Sequence, residues 1–261
     1  MGAIKMPSSV EDGFAQFLRS LSTTRSESDA AKRHRASINQ KLTDEFGMTS
    51  MFRTGSFGNG TNIAGFSDVD YFCIFPTANL KEDSSKTLAA VANALRQRFP
   101  FTNGIRVNGP AVKVPFGVNG DETTELVPVD LTGSTSLGYR KFDMPDRAGG
   151  WMFSAPESHN AFVNDEDKRL GGRLKPLIRL VKAWKYYRSV PVSSFYLEMR
   201  TVQYAQGEQS IIYPIDLPRV LIAILEERLQ PILDPRFKKE GHFISATNTE
   251  AQRVAALTQL K

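Results

Sequence analysis

The sequence predicts an α+β protein, in which a small mixed sheet carries helices and is followed by a helical second lobe. Stretches that read as strands occur in the first half of the chain, at residues 69–75, 106–116 and 125–131, and the first and last of them are largely apolar. Beyond residue 174 the apolar residues recur at helical spacing instead. We therefore expect a core over residues 1–155 and a helical lobe over residues 156–261, with a cleft between them.

The elements of the predicted core follow one another without an internal repeat. In the first of them, Phe14, Phe17, Leu18 and Leu21 recur at the spacing of one helix face. The core elements are predicted to be helices over residues 10–21 and 29–46, a strand–turn–strand unit over 51–75, a helix over 84–99 and strands over 106–116 and 125–131.

The second lobe is predicted to consist mainly of helices. They are expected over residues 174–188, 195–204, 217–229 and 249–260. The stretch from Gly133 to Asn160, by contrast, is rich in Gly, Pro and Ser and has no clear period. We expect it to cross between the lobes and to form a mobile loop beside the cleft.

Two acidic residues, Asp68 and Asp70, open the first apolar run. Because side chains at positions i and i+2 of a strand point the same way, both carboxylates should project from one face of the sheet. Two ionised carboxylates so close repel each other unless a cation lies between them. Mg²⁺ is commonly held by one or two carboxylates and substrate phosphates, so the pair is a candidate metal site. Taken alone, such a pair is also typical of a solvated strand end.

Two further features make the pattern more specific. Gly55 and Ser56 form a turn ahead of the acidic pair, and a turn that leads towards a helix N-terminus presents backbone N–H groups to an anion. Asp130 lies in a second short strand, ELVPVDL, and is the predicted third carboxylate. Glu122 and Glu125 are acidic too, but at the start of this strand we expect them to be solvated. Carboxylates for a metal and a turn for phosphate predict nucleotide chemistry.

The segments GSFGNGT, SDVDYF and VPVDL resemble the three catalytic segments of the polymerase-β-type nucleotidyltransferase superfamily. Within it, the chain most resembles the bacterial cGAS/DncV-like nucleotidyltransferases (CD-NTases), also called SMODS-type synthases. Residues 174–199 are similar to that family's helix and following S-[FY]-x-L-E element. The resemblance implies a polymerase-β-like core with its active site in the cleft. It also implies synthesis of a cyclic di- or oligonucleotide second messenger from NTPs, in bacterial anti-phage (CBASS) signalling.

The helix predicted at residues 174–188 carries a basic stripe. At 100° per residue, one side of the helix collects the polar positions Lys175, Arg179, Lys182 and Tyr186. An ordinary amphipathic helix with a solvated basic face has the same pattern. The resemblance implies that Arg179 and Lys182 bind the triphosphate of the donor nucleotide.

The resemblance also gives roles to the segment after this helix. It implies that Ser194 bonds a phosphate and that Phe195 stacks on the donor base. The family often has Tyr at the position of Phe195, but stacking needs only the ring face. A core position is the alternative for Phe195. An internal salt bridge is the alternative for Glu198, which matches a Glu of the family.

The mechanism implied by the resemblance is two-metal nucleotidyl transfer. Two Mg²⁺ ions, or Mn²⁺ in their place, would be held by Asp68, Asp70 and Asp130. The Gly55-Ser56 turn and the basic helix would neutralise the leaving pyrophosphate. Relatives that add nucleotides to RNA ends, or that adenylylate small molecules or proteins, share the first two segments, so this alternative stays open. So does a non-catalytic module that senses nucleotides or RNA.

Composition indicates the cellular setting. The chain of 261 residues is 41% hydrophobic and 23% charged, as is ordinary for a globular protein, and no apolar run approaches the length of a membrane helix. A net charge of +5 makes no strong case for duplex nucleic acid as a partner. The single cysteine, Cys73, and an N-terminus without a signal-peptide pattern favour the cytoplasm. We expect a monomer without a membrane partner, which uses NTPs and whose product acts on an effector protein encoded elsewhere.

Overall fold

The computed structural model describes residues 7–22, 25–117, 122–239 and 241–260, which fall into two compact units. The sheet unit consists of the described parts of Thr23–Gly60 and Gly65–Asn160. The helical unit consists of the described parts of Met1–Ser22, Thr61–Ala64 and Ala161–Lys261. The first helix and the segment Thr61–Ala64 therefore belong with the helical residues, whereas we had expected both in the core.

A mixed sheet forms the centre of the sheet unit. Its strands are β1 (Ser50–Arg53), β2 (Val69–Ile74), β3 (Arg106–Asn108), β4 (Ala111–Phe116), β5 (Glu122–Ser134), β6 (Arg140–Pro145) and β7 (Trp151–Ser154). The first five lie in the order β1-β2-β5-β4-β3, and β6 and β7 extend the sheet from β5. β2 and β5 are parallel neighbours, and the other pairs are antiparallel. The predicted α+β class is confirmed.

Helices and apolar side chains bury both faces of β2. The helices of the sheet unit are α2 (Arg25–Phe46), α3 (Gly55–Asn59) and α4 (Ser84–Arg98). Tyr71 and Cys73 pack with buried residues of α2 and α4. Phe72 and Ile74 point the other way and pack with Val127 of β5. This double burial explains why the sequence of β2 is continuously apolar instead of alternating.

The helical unit is built around one central helix. Its elements are α1 (Val10–Ser20), α6 (Leu174–Tyr187), α7 (Ser194–Gln206), α8 (Tyr213–Glu226), α9 (Glu250–Leu260) and the short strands β8 (Ile232–Leu233) and β9 (Phe243–Ile244). A further helix, α5 (Pro156–Arg169), begins in the sheet unit and ends in the helical unit. Leu177, Ile178 and Val181 of α6 are buried in the core of the helical unit, and α1, α7 and α8 pack against α6. Among the helices described, none combines the length and the apolar character that a membrane span requires.

Two stretches differ from the sequence prediction. Residues 106–116 form a hairpin instead of one strand, because Gly109 adopts a φ of +62° and the chain turns so that Asn108 pairs with Ala111. Residues 133–160, which we expected to be a loop, contain β6, β7 and the start of α5. β6 pairs with the far half of β5, and the local sequence pattern does not reveal a pairing of this kind.

Candidate active site

Three carboxylates lie at one corner of the sheet. Asp68 directly precedes β2, Asp70 lies in it, and Asp70 pairs in register with Glu125 of the parallel neighbour β5. Residues paired in register point to the same face of a sheet, and so do residues i and i+2 of one strand. Asp70 and Glu125 therefore belong to the face that carries Phe72 and Val127. Asp68 reaches the same face through its ion pair with Lys113, which pairs in register with Glu125. The expectation that Asp68 and Asp70 share one face agrees with this arrangement.

At this corner the negative charges of Asp68 and Glu125 lie close to each other and to the ammonium of Lys113. Burial raises the pKa of the Glu125 carboxyl, and the negative charge of Asp68 raises it further, although a hydrogen bond from Asn108 opposes the rise. Asn108 Nδ2 donates to Glu125 Oε1 over 2.9 Å. Lys113 of β4 forms an ion pair with Asp68, with 3.1 Å between Nζ and Oδ2. The corner thus concentrates negative charge and already accommodates a cation.

Asp130 lies elsewhere, which corrects the sequence prediction of the third carboxylate. Glu125 and Asp130 are five residues apart on β5, so they are about 16 Å apart along the strand and point to opposite faces. Asp130 instead accepts a hydrogen bond from Thr77 Oγ1 at 2.9 Å and pairs in register with Asp143. Glu125 was read as a solvated residue at a strand start. The strand in fact begins at Glu122, and its pairing with β2 places Glu125 beside Asp70.

The Gly-Ser turn lies against this corner. Gly55 adopts a φ of +56°, and a Cβ atom on it would lie 2.0 Å from Asp70 Oδ2. The backbone N–H of Thr54 donates to the carbonyl oxygen of Asp70 over 2.9 Å. Ser56 follows in the first turn of α3 and is half-buried. Glycine at this position therefore meets two needs, the left-handed backbone conformation and the close approach of the Asp70 carboxylate.

Arg179, which we expected to bind a triphosphate, is engaged with the end of α1. Its Nη2 donates to the carbonyl oxygen of Leu18 over 3.1 Å and to Ser22 Oγ over 3.2 Å. Burial lowers the pKa of the guanidinium. A cation at the C-terminal end of a helix satisfies carbonyl groups that lack an intrahelical partner. The structure therefore gives Arg179 a stabilising role in the helical unit.

Lys182, the second expected triphosphate ligand, is buried with a carboxylate. Only 2% of it is exposed, and its ammonium forms a salt bridge with Glu198 of α7. Thr61 completes the group, because Lys182 Nζ donates to Thr61 Oγ1 over 2.9 Å and Thr61 Oγ1 donates to Glu198 Oε2 over 2.8 Å. Of the two readings left open for Glu198, the internal salt bridge is the one observed. Because its ammonium is withdrawn from solvent, Lys182 is not presented to a ligand.

Lys185 of α6 lies beside Ser194, which with Phe195 was predicted to bind the nucleotide. We had not predicted a role for Lys185. Its Nζ donates to Ser194 Oγ over 2.6 Å, and Tyr186 Oη lies 3.2 Å from the same oxygen. Ser194 begins α7, and Phe195 is 41% exposed, so part of its ring is open to solvent. The signal was present in the sequence. Lys185 follows Lys182 by three residues, a spacing that places both on neighbouring parts of the helix surface.

The carboxylates do not yet form a complete metal centre. Among the residues that the structure describes, no three His, Cys, Asp or Glu side chains are grouped so that they could hold a metal ion as they stand. Asp68 is paired with Lys113 instead. The donor set itself, carboxylate oxygens from two adjacent strands, is of the kind that Mg²⁺ prefers.

Fold and site together define a class of protein. Asp70 and Glu125 on two adjacent parallel strands, with the Gly55-Ser56 turn against Asp70, agree with the nucleotidyltransferase core that the sequence resemblance implies. Residues 8–167 match the family described as Second Messenger Oligonucleotide or Dinucleotide Synthetase (SMODS) domain. The match covers more than half of the chain, which therefore belongs to the SMODS family. The resemblance inferred from the sequence is confirmed.

Two curated proteins are similar to part of the chain. The "Cyclic AMP-AMP-AMP synthase" of an Acinetobacter species is 27% identical over 156 residues, which are 56% of this chain and 42% of that protein. A Bacillus cereus protein named "Probable cyclic nucleotide synthase" is 27% identical over 88 residues, which are 34% of this chain and 27% of that protein. The matched regions thus span less than half the length of either relative.

Solved structures share the fold over nearly the whole chain. The cyclic dinucleotide synthase CdnE of Elizabethkingia meningoseptica, solved with GTP and Apcpp, has a TM-score of 0.68 and 20% identity, and the match covers 97% of both chains. DncV of Vibrio cholerae, in its 3′-deoxy-GTP-bound form, has a TM-score of 0.73 and 14% identity over 94% of this chain and 84% of that chain. CdnC of Escherichia coli MS115-1, solved with ATP, has a TM-score of 0.71 and 18% identity over 94% and 87%. These likenesses establish the fold.

Proposed function

We propose that this protein is a Mg²⁺-dependent nucleotidyltransferase that joins NTPs into a cyclic di- or oligonucleotide second messenger. The observation that carries the proposal is the corner of the sheet, where Asp68, Asp70 and Glu125 share one face and the Gly55-Ser56 turn lies against Asp70. Membership of the SMODS family supports the same reaction class. The names of the similar proteins, which are synthases of cyclic nucleotides, support the cyclic product.

Asp68, Asp70 and Glu125 would hold the two Mg²⁺ ions, or Mn²⁺ in their place. Their carboxylate oxygens are suitable ligands, and the ammonium of Lys113 already lies beside Asp68, which supports a site for positive charge at this corner. Bound Mg²⁺ would supply charge neutralisation for the triphosphate and would lower the pKa of the acceptor hydroxyl.

Other residues would bind the nucleotide. The Gly55-Ser56 turn would hold phosphate oxygens through its N–H groups and the Ser56 hydroxyl. In the helical unit, Lys185 and Ser194 would bind a phosphate, because the ammonium and the hydroxyl already converge within 2.6 Å. The partly exposed ring of Phe195 would stack on a base.

The transfer itself makes one bond and breaks another. The oxygen of an acceptor ribose hydroxyl would attack the α-phosphorus of an NTP, losing its proton to solvent, and the bond to pyrophosphate would break. A second transfer within the linear product would close the ring and release a second pyrophosphate. Fixed charges and dipoles at the reacting phosphate dominate the catalysis of such transfers.

The biological setting that we propose is anti-phage signalling in the bacterial cytoplasm. In such a setting the cyclic product would act on an effector protein encoded elsewhere. This part of the proposal depends on the kinship with the SMODS family alone.

The experiment that tests the function is incubation of the protein with all four NTPs and Mg²⁺, followed by phosphatase treatment and mass spectrometry. The matched proteins are wild type, the double variant Asp68→Asn/Asp70→Asn and the control Asp143→Asn, which removes a carboxylate elsewhere in the same unit. A phosphatase-resistant cyclic product from wild type and control, absent from the double variant, is expected. Phosphatase-sensitive linear products would favour a transferase that extends RNA ends. No release of pyrophosphate by wild type with Mg²⁺ or Mn²⁺ would contradict the proposal.

Gly55→Ala should lower the rate of pyrophosphate release by about 100-fold, since displacement of a catalytic group by about 1 Å can have that effect. The new Cβ would lie 2.0 Å from Asp70 Oδ2, so either the turn or the carboxylate must move. Gly138→Ala is the matched control, because Gly138 has a φ of +82° but open space around it. Equal losses in the two variants would mean that backbone strain, and not the displaced carboxylate, determines the effect.

Phe195→Ala should raise the KM for NTP by about tenfold, since stacking of one base on an aromatic ring contributes about 1–3 kcal/mol. Phe195→Tyr keeps the ring and should remain close to wild type. Phe243→Ala, which removes an even more exposed ring (67%) in the same unit, serves as the control. An unchanged KM in Phe195→Ala would show that this ring does not stack on the substrate.

A further inference from the structure

One lysine reaches across the sheet to the carboxylates of the candidate active site. Lys113 lies on β4 and pairs in register with Glu125 of β5, so the two side chains share a face. Its Nζ extends past β5 to Asp68 Oδ2, at 3.1 Å. The Lys113 and Asp68 side chains are only 21% and 32% exposed, so the pair is less screened by water than a surface salt bridge.

Arg106, the cation next to Lys113 in the sheet, makes a different contact. Arg106 of β3 lies opposite Lys113, but its Nη1 donates to the carbonyl oxygen of Gly104 over 3.1 Å. Glu125 has its own hydrogen bond from Asn108. Lys113 is therefore the residue whose charge is placed directly on an oxygen that a metal ion would need.

An ammonium group and a divalent cation cannot occupy the same side of one carboxylate oxygen. A cation near a carboxylate favours its charged form and offsets the repulsion between neighbouring carboxylates. Mg²⁺ would also stabilise the charged carboxylates, with two positive charges instead of one. To bind, however, it must displace the Lys113 ammonium, and the two cations then repel each other because they remain close. The lysine should thus stabilise the metal-free corner and weaken the binding of a metal ion.

We propose that Lys113 is the internal counter-ion of the metal-free site, which must leave Asp68 Oδ2 before a divalent cation binds there. The proposal rests on the proposed function, because it takes Asp68, Asp70 and Glu125 as the metal ligands. Lys113 is a positioning residue in this scheme. It keeps Asp68 in place while the site is empty, and the free energy of its ion pair sets how tightly the site binds metal.

The test is a titration of the purified full chain with Mn²⁺, without nucleotide, followed by electron paramagnetic resonance of free Mn²⁺. Lys113→Met should bind Mn²⁺ about tenfold more tightly than wild type, since one neighbouring charge commonly shifts a carboxylate equilibrium by at least one pKa unit. Lys113→Arg keeps the charge and should remain near wild type. Without metal, Lys113→Met should melt at a lower temperature than wild type, and saturating Mn²⁺ should remove that difference.

The matched control is Lys41→Met, which removes the same charge from an ion pair with Glu45 on α2. Equal, measurable Mn²⁺ affinities in wild type, Lys41→Met and Lys113→Met would overturn the proposal and leave the proposed function intact. Tighter binding in both methionine variants would also overturn it, because net charge would then be the cause. If neither wild type nor Lys113→Met binds Mn²⁺, the proposal fails together with the metal-dependent function.

Discussion

Glu125→Gln is expected to reduce nucleotidyl transfer by about a thousandfold, whereas Asp130→Asn should leave it nearly unchanged. The amide of Gln is close in shape to the carboxylate but has lost the charge that a metal ion requires. Removal of a group that stabilises the charge of a transition state costs about 10²- to 10³-fold or more. Asp130 points to the opposite face of β5 and accepts a hydrogen bond from Thr77, so its charge lies away from the acidic pair.

The two variants form a matched pair on one strand. Pyrophosphate release at saturating NTP and Mg²⁺ measures the effect, and far-ultraviolet circular dichroism checks that both variants are folded. Glu125 is half-buried with a raised pKa, so its neutral replacement should not destabilise the sheet. Full activity of Glu125→Gln together with an inactive Asp130→Asn would restore Asp130 as the third carboxylate.

Lys182→Met should lower the free energy of unfolding by about 3–5 kcal/mol. The substitution removes the ammonium from a buried salt bridge and leaves the Glu198 carboxylate without its counter-charge, which is costly inside a protein. The Thr61 hydroxyl would remain as a donor to Glu198, but a neutral hydrogen bond offsets little of that cost.

A second substitution separates the cost of an unpaired charge from the value of the pair. The double variant Lys182→Met/Glu198→Leu should recover most of the loss, because a buried ion pair can often be replaced by apolar residues at little cost. Lys175→Met on the same helix removes an exposed ammonium that bonds Asn164 and should change stability by less than about 1 kcal/mol. Urea denaturation followed by circular dichroism measures all three. A Lys182→Met protein as stable as Lys175→Met would show that the pair does not form as the structure has it.

The sequence was sufficient for features that depend on local patterns. The helices from α6 to α9 and the strand β2 follow from spacing and apolar runs, and the acidic pair follows from the alternation of a strand. The Gly-Ser turn was predicted to belong with this pair, and the contact between Gly55 and Asp70 agrees. The roles of these residues in catalysis stay predictions.

Apart from Lys185, the features that were missed depend on pairing between distant parts of the chain. Whether Glu125 or Asp130 joins the acidic pair is decided by the register of β5 on β2, which brings together residues more than fifty positions apart. The burial of Lys182 depends on Thr61, which is 121 residues away in sequence. A basic stripe looks the same on a helix wheel whether its lysines meet solvent or a buried carboxylate.

The path of the chain through residues 61–64 constrains how this protein can be synthesised and divided. The polypeptide leaves the sheet unit after Gly60 and returns to it at Gly65. The four residues between them, Thr61–Ala64, belong to the helical unit. Two of these residues, Thr61 and Ile63, are wholly buried. On the ribosome they emerge about a hundred residues before α6 and α7, which bury them, so the helical core cannot be completed until those two helices have been synthesised. For the same reason, a C-terminal fragment cut from this chain would lack part of its own interior.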